Sequence, residues 1–126
     1  MRKLIKGAIK NSYVYDKVRF IELLIRLVSG KIHEPGFEYL KFINKGALVI
    51  DIGANVGQSI VSIFNANSKL NIIAFEPNPL CRNSLNQLAR IWPLKHRVLL
   101  YFLGLGSAHD KMPFFVPVAG TGIRLL

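Results

Sequence analysis

Along this chain, apolar runs alternate with short polar breaks, and the period of the pattern changes from segment to segment. Over residues 16–29 the polar positions Arg19, Glu22, Arg26 and Ser29 recur three and four apart, and nearly everything between them is apolar. That spacing predicts a helix with one narrow polar stripe, ended by Gly30. A helix so apolar needs cover on most sides. The first reading is packing against the rest of the fold. The alternatives are a membrane surface, with Arg19 and Arg26 facing lipid phosphates, and a dimer contact. Pro35 and Gly36 then break the chain. Phe37–Ile43 reads as a short helix with Phe37, Leu40 and Ile43 inward, and Asn44–Gly46 as a turn.

From Ala47 the pattern becomes that of a β-α-β-α-β unit. Ala47–Ile52 and Leu70–Phe75 are apolar at almost every position, with no alternation. Such strands belong to a parallel sheet with helices on both faces. Between them, a helix over Gly57–Asn65 places Ile60, Val61 and Phe64 on one side. Asn78 followed by Pro79 is a helix start, a capping side chain and then proline at the first position. Cys81, Leu85, Leu88 and Trp92 continue it at helical spacing, and Pro93 closes it. Val98–Leu103 is the third strand. Gly104–Lys111 forms a loop or hairpin connection to a short strand at Met112–Val118, which its two prolines assign to an edge. The expected fold class is therefore α/β, Rossmann-like, with three parallel strands, their helices and a short hairpin. Helical residues 1–46 precede a domain that starts at residue 47.

Composition narrows the function classes. The 126 residues fit one domain with a real core. The charge is +10, with ten Lys/Arg against four Asp/Glu in residues 1–46 and seven against three in the rest. A basic surface attracts nucleic acid, anionic lipid or an acidic substrate. Nucleic acid is not expected, because no recognition motif and no interleaving of aromatic with basic residues accompanies the charge. Cys81 is the single cysteine, so no intrachain disulfide or cysteine metal site is expected. The start, MRKLIKGAIK, has no signal-peptide core, and no run of about 18 apolar residues occurs. The expected location is the cytoplasm.

The candidate chemistry lies where strands end. In an open parallel sheet, ligands bind beyond the carboxyl ends of the strands. Asp51 and Glu76 both sit at such ends. The turn Gly53-Ala54-Asn55-Val56-Gly57 joins strand to helix. Gly53 lets the backbone turn sharply and a ligand approach closely, and Gly57 permits tight packing of helix on strand. Asn55 tolerates left-handed angles. Glu76 can accept two ribose hydroxyls, and Phe75 and Pro77 could flank a base. Asp51 separates two classes of cofactor. It would repel a pyrophosphate lying over the glycine turn, and the second glycine of the dinucleotide fingerprint is absent. An acid there suits a cationic ligand such as S-adenosylmethionine, with its α-ammonium and sulfonium.

The segments VIDIGANVGQS, IIAFEPNP and LGLGSAHDKMPFFVP together resemble the FkbM-type family of S-adenosylmethionine-dependent methyltransferases, over residues 37–122. The resemblance implies a class I methyltransferase fold and methyl transfer to a hydroxyl of a sugar or natural product. It implies S-adenosyl-L-methionine as cofactor and a small-molecule or glycan acceptor. By position, Asp51, Gly53, Ala54, Asn55 and Gly57 would line the methionine end. Glu76 would take the ribose, and Pro77 and Asn78 would lie near the adenine. Leu103-Gly104 matches the step that follows the family's third strand. Where the family has an acidic turn, this chain has Ser107, Ala108, His109 and Asp110. No catalytic residue is assigned; His33, His96 and His109 are the candidate bases.

A class I methyltransferase sheet has seven strands, and its first strand lies mid-sheet. The segments expected for a fourth strand and its acidic motif do not occur before Leu126. The expectation is a truncated domain whose first strand lacks a neighbour, prone to association or completed by an oligomer or a partner chain. The alternative function is a non-catalytic protein that binds a membrane surface or a partner through helix 16–29.

Overall fold

A computed structural model describes residues 13–118 and 122–125, with side chains from 16 to 115. The first element is helix α1, Tyr13–Ser29, with Asp16 in its first turn and Arg26 in its last, each matched to the helix dipole. Gly30 ends it at φ 68°, and Lys31 N–H closes back on the Arg26 carbonyl at 3.2 Å, a Schellman cap. A 3₁₀ segment, Pro35–Phe42, follows.

Three parallel strands form the sheet: β1 Leu48–Ile52, β2 Asn71–Phe75 and β3 Val98–Tyr101, side by side in that order. Asp51 stands opposite Ala74, and Phe75 opposite Tyr101. Helix α2, Gln58–Ala66, crosses from β1 to β2, and helix α3, Arg82–Arg90, from β2 to β3. The chain is thus a small α/β arrangement with an open parallel sheet.

Both crossovers step in the same direction, so right-handed connections put both helices on one face. That face holds the core. Ile72 and Ala74 of β2 meet Ile60, Val61 and Ile63 of α2 and Leu85 and Leu88 of α3, with Leu70, Cys81 and Leu94 at the margins. Helix α1 lies on α2 and adds Leu23, with Phe20 and Leu27 beside it, while Phe37 and Leu40 come from the 3₁₀ segment.

The strands are therefore covered on one face, where their apolar composition predicts two. Leu48, Ile50 and Ile52 of β1 are 56, 57 and 70% exposed, and Leu99 and Tyr101 of β3 continue that face. Two helices that share a side cannot cover both. Among the described residues β1 pairs only with β2, so its other edge is free.

Two positions expected inside lie outside. Trp92 is exposed because α3 stops at Arg90 and Ile91 is already extended, so the helical spacing breaks first. Leu94, fully buried, fills the place instead. Ile43 is exposed for the same reason, lying extended beyond the 3₁₀ segment. The hairpin also differs from expectation. Its strands are β4, Phe115–Val118, and β5, Gly122–Leu125, paired antiparallel with Phe115 opposite Leu125. The segment 104–111 is an exposed loop, one of its two expected forms, and the strand expected from Met112 begins at Phe115.

Two asparagines tie the N-terminal elements to α2. The Asn65 amide donates to the carbonyls of Arg26 and Lys31, both at 2.9 Å. The Asn67 amide donates to those of Leu40 and Ile43, at 3.1 and 3.0 Å. Arg19 and Arg26 are half-buried at the flank of α1, and its exposed side chains are Val18, Ile21, Ile25 and Val28 together with Asp16, Lys17, Glu22 and Ser29. Among the described residues no helix is long and apolar enough to cross a membrane.

Candidate functional site

Asp51, the Gly53–Gly57 turn, Glu76, Pro77 and Asn78 converge at the carboxyl ends of β1 and β2. The parallel register brings them together, since Asp51 and Ile52 stand beside Ala74 and Phe75. The turn folds back over β2: the N–H groups of Gly53 and Ala54 both donate to the Phe75 carbonyl, at 2.9 and 3.1 Å. Such a tight reversal requires left-handed backbone at Gly53 (φ 85°), Asn55 (φ 52°) and Gly57 (φ 106°). Gly57 also lies against α3, where an added Cβ would overlap Leu88 Cδ2. The expected close packing of helix on strand is thus a packing of the turn on α3.

Glu76 holds the centre. It is buried, and both of its oxygens accept backbone N–H groups: Oε2 from Asn55 at 2.7 Å and Oε1 from Asn78 at 2.8 Å. One carboxylate thereby fastens the turn after β1 to the turn after β2. Each oxygen has a second acceptor position beyond the one the backbone uses. Asn78 in turn caps the next segment, its Oδ1 accepting from Leu80 N–H at 3.0 Å, with Pro79 first in the 3₁₀ turn Pro79–Cys81 that leads into α3. Gly104, in the connection after β3, lies near Pro77, which a Cβ added at this glycine would meet at ordinary contact distance. The Leu103-Gly104 step therefore borders the same crevice.

Asp51 sits on the helix-covered side of β1, half-buried. Its Oδ2 accepts a 2.6 Å bond from Ser59 Oγ in the first turn of α2. Burial pushes its carboxyl above the usual range; the Ser59 bond opposes this, and the negative charge of Glu76 adds to it. Cys81 is also buried, with Sγ 3.5 Å from Asn55 Oδ1. Burial first, and the charge of Glu76 second, push its thiol up to about 11. Two acids and a thiol thus share one small region, and the charge of Glu76 adds to the electrostatic cost of ionising Asp51 and Cys81. An added cation would relieve it.

Sequence reasoning missed Ser59, although its place eight residues beyond Asp51, in the first turn of the next helix, was a usable signal. Of the histidines, His96 precedes β3, at the opposite end of the sheet. His33 lies beside the middle of α2, where its N–H donates to Ser62 Oγ at 2.9 Å. His109 is exposed in the connection after β3, on the crevice side. Among the described residues no cluster of His, Cys, Asp and Glu could hold a metal ion.

No protein-family model, curated protein or solved structure matches the chain.

Proposed function

We propose that the crevice at the ends of β1 and β2 takes S-adenosyl-L-methionine, and that the chain is a methyltransferase, or part of one, of the FkbM-type kind. The observation that carries this reading is the placement of Glu76. A buried carboxylate, already oriented by Asn55 N–H and Asn78 N–H, stands at the end of the second strand with acceptor positions free for a ribose diol. The glycine turn beside it lets a ligand come close to the backbone. Asp51, burdened by burial and by Glu76, favours a cationic group, and the ligand's ammonium or sulfonium supplies one. A pyrophosphate would add negative charge at the same place, which disfavours a dinucleotide.

When bound, the cofactor would supply an electrophilic methyl group for an acceptor hydroxyl, in this reading one on a sugar or small natural product. The chain's own residues would hold it: Glu76 the ribose, Gly53 and Asn55 the methionine end, and Pro77 and Asn78 the region beside the base. The test is calorimetric titration with S-adenosylmethionine and, separately, NAD. The expected result is saturable binding of the first alone, lost in Glu76→Ala. Binding of NAD alone, or of neither, overturns the reading.

A further inference from the structure

Two serines of α2 use their hydroxyls differently. Ser62 donates to the Gln58 carbonyl at 2.9 Å, the ordinary bond of a serine to its own helix four residues back. The residue four back from Ser59 is Asn55, which lies outside the helix at φ 52°. Ser59 instead reaches across to β1 and donates to Asp51 Oδ2 at 2.6 Å. That length belongs to a hydroxyl on an ionised carboxylate.

The other oxygen of Asp51 is left over. Oδ1 has no hydrogen-bond partner among the described residues. It is not sealed from solvent either, since among these residues no fully buried side-chain oxygen lacks a partner. Asp51 therefore has one oxygen anchored and one open, at the carboxyl end of β1. The influences on its charge pull in opposite directions. Burial opposes ionisation most strongly, the Ser59 hydroxyl favours it, and the charge of Glu76 just after β2 opposes it again. Other titratable groups at this end of the fold are Cys81, just before α3, and Arg19 and Asp16 of α1, which act on Cys81; none of the three enters the balance at Asp51. Of the groups that do, only Ser59 supports the negative charge.

We propose that Ser59 is a positioning residue of the cofactor crevice: by holding Oδ2 it keeps Asp51 ionised and leaves Oδ1 to meet the ligand's α-ammonium. The inference rests on the reading of the crevice given above and adds the residue that governs it. Without the hydroxyl, Asp51 keeps its proton to higher pH, and a neutral carboxyl has no charge to offer an ammonium. Ser59 therefore sets the lower pH limit of binding. A purely structural tie between α2 and β1 would lower stability when removed, but it would not move the pH at which the ligand binds.

The test follows the carboxyl and the ligand separately. The chain has three aspartates, Asp16, Asp51 and Asp110, so the Asp51 carboxyl carbon is assigned in an NMR titration by its absence from Asp51→Asn. In Ser59→Ala its midpoint should move to higher pH, and Ser59→Thr, which keeps a hydroxyl, should restore it. Ser62→Ala, on the same helix, should leave it in place. Ser59→Cys, whose thiol is a weak donor, replaces the alanine variant if that one does not fold. Calorimetric affinity for S-adenosylmethionine in Ser59→Ala should fall about tenfold at about pH 6, recover in Ser59→Thr, and approach wild type at about pH 7.5. Three results overturn the proposal: an Asp51 midpoint unchanged in Ser59→Ala, a midpoint moved as far by Ser62→Ala, or a moved midpoint with affinity unchanged at every pH. If the wild type binds no S-adenosylmethionine, the cofactor reading fails by itself, and the Asp51 titration still decides whether Ser59 governs that carboxyl.

Discussion

The backbone N–H of Asn55 lies 2.7 Å from Glu76 Oε2, joining two strand-end turns that are twenty-one residues apart in sequence. With the matching bond from Asn78 N–H to Oε1, the same side chain that is proposed to face the ligand also fixes the shape of the crevice. Binding and stability therefore meet in one residue.

Glu76→Gln separates the two roles poorly, and that is its use. An amide offers one acceptor oxygen where the carboxylate offers two, so one backbone N–H loses its partner. The expected cost is about 1–3 kcal/mol, read from urea denaturation, together with loss of S-adenosylmethionine binding. An unchanged denaturation midpoint would mean that the two N–H bonds are not maintained in solution.

Asp51→Asn should move stability and binding in opposite directions. The Asp51 carboxyl titrates higher in the folded chain than in the unfolded one, so its favourable contribution is full at acid pH and lost as pH rises through the folded value. At neutral pH the charged form costs stability. Asparagine removes that cost and still accepts the Ser59 bond, so the melting temperature at pH 7 should rise, and the gap from wild type should close toward pH 3. Calorimetric affinity for S-adenosylmethionine should fall. A lower melting temperature at pH 7 would count against the burial cost assigned to Asp51.

Gly57→Ala should destabilise by about 2–4 kcal/mol, because the new Cβ meets Leu88 and the backbone must hold φ 106°. Leu88→Ala alone also costs about 2–5 kcal/mol, since Leu88 is fully buried. In the double variant the collision is gone while the backbone strain persists. The two changes should fall short of additive by about 1 kcal/mol or more, a coupling measurable in a denaturation cycle.

Cys81 should be slow to react. Its thiol is buried and shifted up to about 11, so at pH 8 little thiolate exists and reagent has little access. A disulfide reagent should label it far more slowly in the folded chain than in 6 M guanidinium chloride. Equal rates would place the thiol at the surface.

Much of this architecture was legible in the pattern of residues. The strands that end just after Asp51 and just before Glu76, the Gly53–Gly57 turn and the Asn78-Pro79 start all lie where their local chemistry puts them, because each depends on neighbours within a few residues. What local pattern could not supply was the direction of the second crossover. Apolar β1 and β2 imply two covered faces, and only the stepping order β1-β2-β3 reveals that both helices share one. Trp92 and Ile43 were misplaced by extending a helical period past the residue where the backbone straightens. The Ser59–Asp51 bond needed the angle between a strand and the helix after it, which spacing alone does not encode.

The free edge of β1 has a consequence for Asp51 that the strand's own neighbours do not reveal. Along that edge alternate residues of Leu48–Ile52 turn their backbone amides and carbonyls away from β2. Any strand that adds there, from whatever chain, would displace the water nearest Asp51 and lower the local polarity. It would hold the Asp51 proton on still more firmly. A cation entering the crevice would then have to displace that proton, so growth of the sheet would make cation binding at Asp51 more dependent on pH.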